Sequence, residues 1–258
     1  MRRNKLFGIL IYAFLSLTVL TGVGSFVVFG RFLGAMGLGL FQFGFSPLPA
    51  ALFDATLCFL FFVQHSGMVR RSFRAWSERW IPGWLSRALY TFASAFALVL
   101  LCVLWQTVDA TPWILGGPLS LLLRGVSLLA LLSFVWAFVS IEGFDAFGTG
   151  DVLARLHHRN YATAPLAVSG PYRWVRHPFY FLALVLLWSS PMLSGDRALL
   201  NTLFTVWIVL GTRWEERDLI VRYGDAYRRY QAEVPMLVPW RHPGIDRGPA
   251  ARGGNARP

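Results

Sequence analysis

The sequence predicts an all-α, polytopic membrane protein with about six transmembrane helices. Three observations carry that expectation: the composition, the length of the apolar runs and the placement of the basic residues. Hydrophobic residues fill 55% of the 258 positions, the mean hydropathy is +0.51, and only 14% of residues are charged. A soluble domain carries about 25% charged residues. The runs Leu6–Phe29, Leu89–Trp105 and Leu119–Ile141 are each long enough to cross roughly 30 Å of hydrocarbon as a helix. Ala50–Val63, Phe179–Leu193 and Ala198–Gly211 supply three shorter spans.

The net charge of +11 invites a nucleic-acid reading, which its distribution removes. With the N-terminus in the cytoplasm, 21 of the 24 Lys and Arg residues fall on the inner side of a six-span topology. Only Arg31 and Arg197 lie in outer turns, and Arg124 lies inside a span. That asymmetry is the positive-inside rule and places both termini in the cytoplasm. The basic surface then attracts anionic lipid headgroups, and no nucleic-acid partner is needed to account for it.

The first span has the basic start of a signal peptide, but its apolar region is too long and no small-x-small cleavage site follows, so it is read as a retained anchor. Gly30 to Gly44, with Pro47 and Pro49 after it, reads as an outer loop or re-entrant segment. The second span ends near Gln64-His65-Ser66. Trp76, Trp80 and Trp84 then alternate with Arg74, Arg79 and Arg87, a pattern that suits a helix in the headgroup layer. Cys58 and Cys102 both sit in apolar spans, so neither a disulfide framework nor a cysteine-based metal site is expected. The chain divides into N-terminal transmembrane helices (1–140), a C-terminal module of loop, helical hairpin and amphipathic helix (141–240), and a Gly-, Pro- and Arg-rich tail (241–258) expected to be disordered.

The chemistry-bearing residues lie in the last third. Pro178 marks a helix start, because proline at the first helical position needs no amide donor. That N-terminus, with Arg176 beside it, favours an anionic group. The turn Ser194-Gly195-Asp196-Arg197 reverses the chain. Counted from Gly195, Pro178 lies 17 residues back, and Glu215 and Glu216 lie 20 and 21 forward. At about 1.5 Å per residue both arms reach nearly the same depth, so Arg176-His177 should face Glu215-Glu216 at the cytoplasmic membrane surface. Beyond them Gly224 ends the helix, and Asp225 caps another whose apolar, aromatic face carries Tyr227 and Tyr230. This last helix suits either a lid over the hairpin or an interfacial anchor. A cation, an imidazole, a helix end, two carboxylates and several aromatics make a cytoplasmic-side cofactor pocket that matches S-adenosylmethionine (SAM). Ordinary interfacial anchoring accounts for the same residues, and both readings stand at this level.

Four pieces in order decide between them. Gly170-Pro171-Tyr172-Arg173-Trp174-Val175-Arg176-His177-Pro178-Phe179-Tyr180, Glu215-Glu216-Arg217-Asp218-Leu219, Tyr223-Gly224-Asp225-Ala226-Tyr227-Arg228-Arg229-Tyr230 and Val234-Pro235-Met236-Leu237-Val238-Pro239 resemble the isoprenylcysteine carboxyl methyltransferase superfamily. Gln64-His65-Ser66-Gly67-Met68-Val69-Arg70 and Trp188-Ser189-Ser190-Pro191-Met192 resemble, more narrowly, bacterial methanethiol S-methyltransferases and NnrU-like membrane proteins. The resemblance implies a SAM-dependent methyltransferase of a bacterial inner membrane, with SAM held by Arg176, His177, Tyr180, Glu215 and Glu216, and Tyr172 in the adjoining turn. It implies a small thiol as substrate, with His65, His177 and Glu215 as unranked candidates to assist thiolate formation and no metal ligand. Carboxyl methylation of a prenylated cysteine, a sterol-type reductase site and a non-catalytic accessory role are the rivals. Two departures are visible. Leu182 replaces a glycine that often follows the Tyr180 position, which would narrow cofactor access. Glu142 or Gly143 stands where the thiol-methylating enzymes tend to carry His.

Overall fold

A computed structural model of the chain describes residues 2–35, 38–107, 113–141, 145–159, 166 and 168–241. Glu142 and Gly143, and the tail from His242 on, lie outside the described residues.

The chain is mostly helical. Helix α1 runs Arg2–Ala35, past Phe29 and through Gly30 and Gly34, because glycine is tolerated within membrane helices. The segment read as an outer loop therefore reduces to the stretch before α2. Helix α2 spans Pro47–Val69, with Pro47 in its first turn. It continues through Gln64-His65-Ser66, where Gln64 Nε2 bonds to Ser94 Oγ and His65 meets the Tyr90 hydroxyl. The basic Trp-bearing loop forms a short helix, α3 (Arg71–Ser77), and a 3-10 turn at Gly83–Leu85, with Trp76 and Trp80 exposed. Helices α4 (Ser86–Leu104), α5 (Gly117–Val139), α6 (Thr149–Leu156), α7 (Pro178–Trp188), α8 (Gly195–Tyr223) and α9 (Asp225–Glu233) follow.

Among the described residues, four segments are long and apolar enough to cross a membrane: Leu6–Gly34, Pro47–Val69, Gly83–Leu104 and Gly117–Val139. The two expected last spans take a different form. Helix α7 has 11 residues, about 16 Å, and stops at Trp188 instead of reaching Leu193. Pro191 explains this, since it lacks an amide donor and disfavours helix in the residue before it. The chain runs on to Ser194, with Met192–Leu193 (β2) pairing antiparallel to Trp113–Ile114 (β1). The carbonyls along this stretch are met from outside: Leu187 by Asn201 Nδ2 (2.8 Å), Ser189 by Ser127 Oγ (3.3 Å) and Pro191 by Leu115 N (2.9 Å). Helix α8 is continuous for 29 residues and becomes charged in its second half.

Helix α4 packs on α1 and α2, α8 on α2 and α7, and α7 on α5. The main core joins Phe32, Cys58, Phe62, Leu101, Trp105, Leu187, Leu200 and Phe204. Phe62 stacks on Trp207 at 4.7 Å and meets Phe204 edge-on at 5.0 Å. Large apolar side chains such as Leu20, Phe26, Leu121 and Val139 point outward, the arrangement a hydrocarbon solvent requires. At the Gly195 end a buried polar belt closes the bundle. Gln106 donates its amide to Asp54 Oδ1 (2.9 Å) and its side chain to Phe41 O (2.9 Å), and Arg197 donates to Leu33 O.

Candidate functional site

The site forms where the second half of α8 meets the start of α7. The turn before α7 is set by Gly170, whose φ of +52° suits glycine and whose added Cβ would collide with Ser140 at the end of α5. Ser169 Oγ donates to Ser140 O at 2.6 Å. The chain thereby delivers Tyr172, Arg176 and His177 to the mouth of the hairpin, and Pro178 opens α7 as its sequence position requires.

The predicted meeting of Arg176-His177 with Glu215-Glu216 is present. Arg176 Nε donates to Glu216 Oε1 at 2.6 Å, and His177 Nε2 lies 3.3 Å from the same oxygen. Gln231 Nε2 donates to Glu216 Oε2 at 3.0 Å, and the Tyr227 hydroxyl donates to Oε1 at 3.4 Å. Arg176 Nη1 donates to the carbonyls of Gln231 (3.0 Å) and Val234 at the end of α9. The backbone amides of Arg176 and His177 donate to Pro235 O (2.9 Å) and Met236 O (3.2 Å). Helix α9 is thus clamped across the hairpin mouth, with Tyr227 and Tyr230 buried against Leu166, Val168, Leu219 and Ile220. Gly224, at φ +57°, makes the sharp turn that allows it.

Glu216 lies beyond the apolar stretch of α8. Burial alone would raise its carboxyl, but the hydrogen bonds from His177 and Arg176, the Arg176 charge and Gln231 together pull it down to about 2 from an ordinary 4.5. Burial pushes the Tyr227 and Tyr230 phenols up, as it does that of Tyr172, where the Glu215 charge adds to the effect. All three remain protonated donors near neutral pH.

Glu215 is the other kind of carboxylate. Its side chain is 43% exposed, and His177 Nδ1 stands 3.8 Å away. Its charge acts on the phenols of Tyr180, Tyr172 and Tyr90. His177 stacks on Tyr180 with ring centroids 5.7 Å apart. His65 sits apart from this group on α2, with its ring nitrogens 3.1 and 3.3 Å from the Tyr90 hydroxyl. Arg70, at the end of α2, pairs with Asp218 at 3.2 Å and lies over Trp214 at 5.0 Å.

Leu182 does not face this mouth. It is 7% exposed and packs with Ala130, Ala137 and Phe134 of α5. Two residues on from Tyr180 a helix has turned by about 200°, so the extra side chain fills the α5–α7 interface and leaves cofactor access untouched. Two residues at the site carried no sequence signal. Tyr90 lies within an apolar span, and Gln231 belongs to the polar face of α9.

The pattern of relatives agrees with this arrangement. The Isoprenylcysteine carboxyl methyltransferase (ICMT) family matches residues 154–221, which contain Arg176, His177, Tyr180, Glu215 and Glu216. A methanethiol S-methyltransferase of Pseudomonas sp. (strain GM41(2012)) is 37% identical over 198 residues, 75% of each chain. The methanethiol S-methyltransferase of Mycobacterium tuberculosis is 32% identical over 244 residues, covering 88% of this chain and 97% of that one. Nurim of Mus musculus is 32% identical over 189 residues, 67% of this chain and 70% of its own length. No solved structure gives a significant match. The chain belongs to the isoprenylcysteine carboxyl methyltransferase family, alongside the methanethiol S-methyltransferases.

Proposed function

We propose that this protein is a membrane-embedded, SAM-dependent S-methyltransferase that methylates a small thiol such as methanethiol, giving dimethyl sulfide. The observation that carries the reading is the pairing of a buried carboxylate locked by Arg176 and His177 with a neighbouring carboxylate, Glu215, left half-open among phenols. Two adjacent acidic residues in one environment would be redundant; here one holds the fold and the other is open to a ligand. The similarity to methanethiol S-methyltransferases over most of the chain supports the thiol as substrate.

The donor set fits SAM. Glu215 suits its ammonium or ribose hydroxyls, and Tyr172 and Tyr180 offer aromatic faces for adenine or sulfonium. Arg176 Nη2 makes no hydrogen bond among the described residues and suits its carboxylate. Glu216 has both oxygens engaged within the protein, so its part is to aim Arg176 and His177. When bound, SAM supplies an electrophilic methyl group on a cationic sulfur. The chain's own residues then orient the two reactants and favour the thiolate, since an unassisted thiol near pKa 8.5 is mostly protonated at pH 7. Among them, residues 141–240 form the cofactor-binding module, and six crossings with both termini cytoplasmic place its mouth on the cytosol, within a bacterial inner membrane.

Headspace detection of dimethyl sulfide after feeding methanethiol to expressing cells tests the reaction. Thermal shifts of detergent-solubilised protein with SAM against NADPH test the cofactor. Methyl-ester formation on N-acetyl-farnesylcysteine with no methylated thiol would move the substrate to a prenylated cysteine. Failure of both reactions, with no SAM-induced shift, would leave an accessory role.

A further inference from the structure

Proton removal from the thiol has three imidazole or carboxylate candidates, two at the hairpin mouth and one on α2, and their surroundings differ. His177 has both ring nitrogens turned to carboxylates, Glu216 at 3.3 Å and Glu215 at 3.8 Å, and its side chain is 5% exposed. Glu215 is 43% exposed and open to water. His65 stands on α2 beside Phe61, with the Tyr90 hydroxyl as its one hydrogen-bonding neighbour among the described residues.

The groups around Tyr90 are polar as well. Gln64 Nε2 donates to Ser94 Oγ at 3.2 Å, one turn along α4 from Tyr90. A phenol can donate or accept, and a neutral imidazole carries one N–H and one lone pair, so the contact with Tyr90 steadies the His65 ring and leaves it able to take a proton. One buried acceptor in this cluster, Gln64 Oε1, has no hydrogen-bond partner. A polar atom buried without a partner is costly in a packed bundle, so this cluster has room in its hydrogen bonding for a further polar ligand.

We propose that Gln64, His65, Tyr90 and Ser94 form the acceptor-thiol subsite between α2 and α4, with His65 as the base and Tyr90 as the positioning residue that holds its ring. The inference rests on the thiol-methylating reading above and names the residues that serve it. In the step, the thiol S–H bond breaks and its proton goes to the unprotonated His65 nitrogen. The electron pair stays on sulfur as the thiolate. After turnover His65 returns the proton to water. The titratable and charged groups that act on Tyr90 are Glu215 on α8 and Tyr180 on α7.

The test compares wild type, Tyr90→Phe, His65→Ala and the double variant in detergent. S-adenosylhomocysteine binding is followed by thermal shift, and dimethyl sulfide formation from methanethiol by rate between pH 6.5 and 9 (assay settings of about that range bracket an ordinary thiol pKa). Binding of S-adenosylhomocysteine should match wild type in every variant. At pH 7 kcat should fall about 100-fold in His65→Ala, the low end of what a general base contributes. The deficit should shrink as pH rises and the thiol ionises unaided. Added imidazole should restore part of the His65→Ala rate, and Tyr90→Phe should add little to His65→Ala because the two act as one unit. Wild-type rates at pH 7 in both single variants would overturn the subsite. So would losses of the same factor at every pH with no imidazole rescue, which mark a packing role. If wild type itself makes no dimethyl sulfide, the thiol reading and this subsite fall together; if only the variant pattern fails, the subsite alone falls.

Discussion

Replacing Glu216 by Gln keeps the shape of the side chain and removes the charge around which α7, α8 and α9 are joined. The carboxyl is held at about 2 against 4.5, a gap that at roughly 1.4 kcal/mol per pH unit corresponds to about 3 kcal/mol of stability. The site opens on its Glu215 side, so solvent screening reduces this to about 2 kcal/mol. Because the folded carboxyl titrates lower than the unfolded one, the contribution is complete above pH 4.5. It is lost as pH falls from there through about 2. Glu216→Gln should therefore be less stable than wild type at pH 7, and its stability should depend less on pH between about 5 and 2, where the wild-type carboxylate protonates. Denaturant titration in mild detergent at several pH values reads both quantities. Equal stability at pH 7, or an unchanged acid slope, would refute the view that Glu216 is a structural clamp with ionised partners.

Other perturbations separate the site from its scaffold. Glu215→Gln should leave denaturation unchanged, because that side chain is 43% exposed, and should weaken SAM binding by roughly 10- to 100-fold through loss of a charge-assisted hydrogen bond, measured by calorimetry. Unaltered affinity would exclude Glu215 from the pocket. Leu182→Ala should cost about 2–4 kcal/mol by opening a cavity against Ala130 and Ala137, with SAM affinity retained. A gain in SAM affinity without loss of stability would show instead that Leu182 obstructs the cofactor. Reporter fusions at residue 110 should score periplasmic and those at 80 and 245 cytoplasmic, as the basic-residue asymmetry requires; a periplasmic score at 80 would invert the topology.

Much of this arrangement was legible in the sequence, though not always for the right reason. The opposition of Arg176-His177 and Glu215-Glu216 followed from counting residues on two helical arms, yet one arm is not fully helical. Glu216 lies about 31 Å along α8 from Gly195, and α7 covers only about 16 Å of that depth. The chain from Ser189 to Ser194 makes up the remainder, since an extended residue advances about 3.3 Å. Hydropathy counted those residues as span because Met192 and Leu193 are apolar, and it gave too little weight to Pro191. The end of α8, the Gly224 turn and α9 were readable because glycine and the aromatic spacing are local signals. The part played by Arg176 was not. An arginine beside a helix start reads as an anion receptor, and nothing local shows that the carbonyls of Gln231 and Val234, more than 50 residues away, occupy Nη1. Leu182 misled for a related reason: motif position does not tell which face of a helix a residue occupies.

The interrupted second arm also bears on how the chain is built into a bilayer. The end of α7 and the extended stretch after it expose carbonyls that hydrocarbon cannot solvate, and their partners are Asn201 on α8 for the former and Ser127 on α5 and Leu115 beside β1 for the latter. Two of those three partners are synthesised before α7, and the third only when α8 has emerged. The last hairpin therefore cannot mature as an independent two-helix unit. It has to dock against an α5 that is already in place, and α7 stays in a protein-lined or watery setting until α8 follows. Biogenesis is thereby ordered from the N-terminal helices toward the hairpin, and the methyltransferase-like end of the protein is completed last.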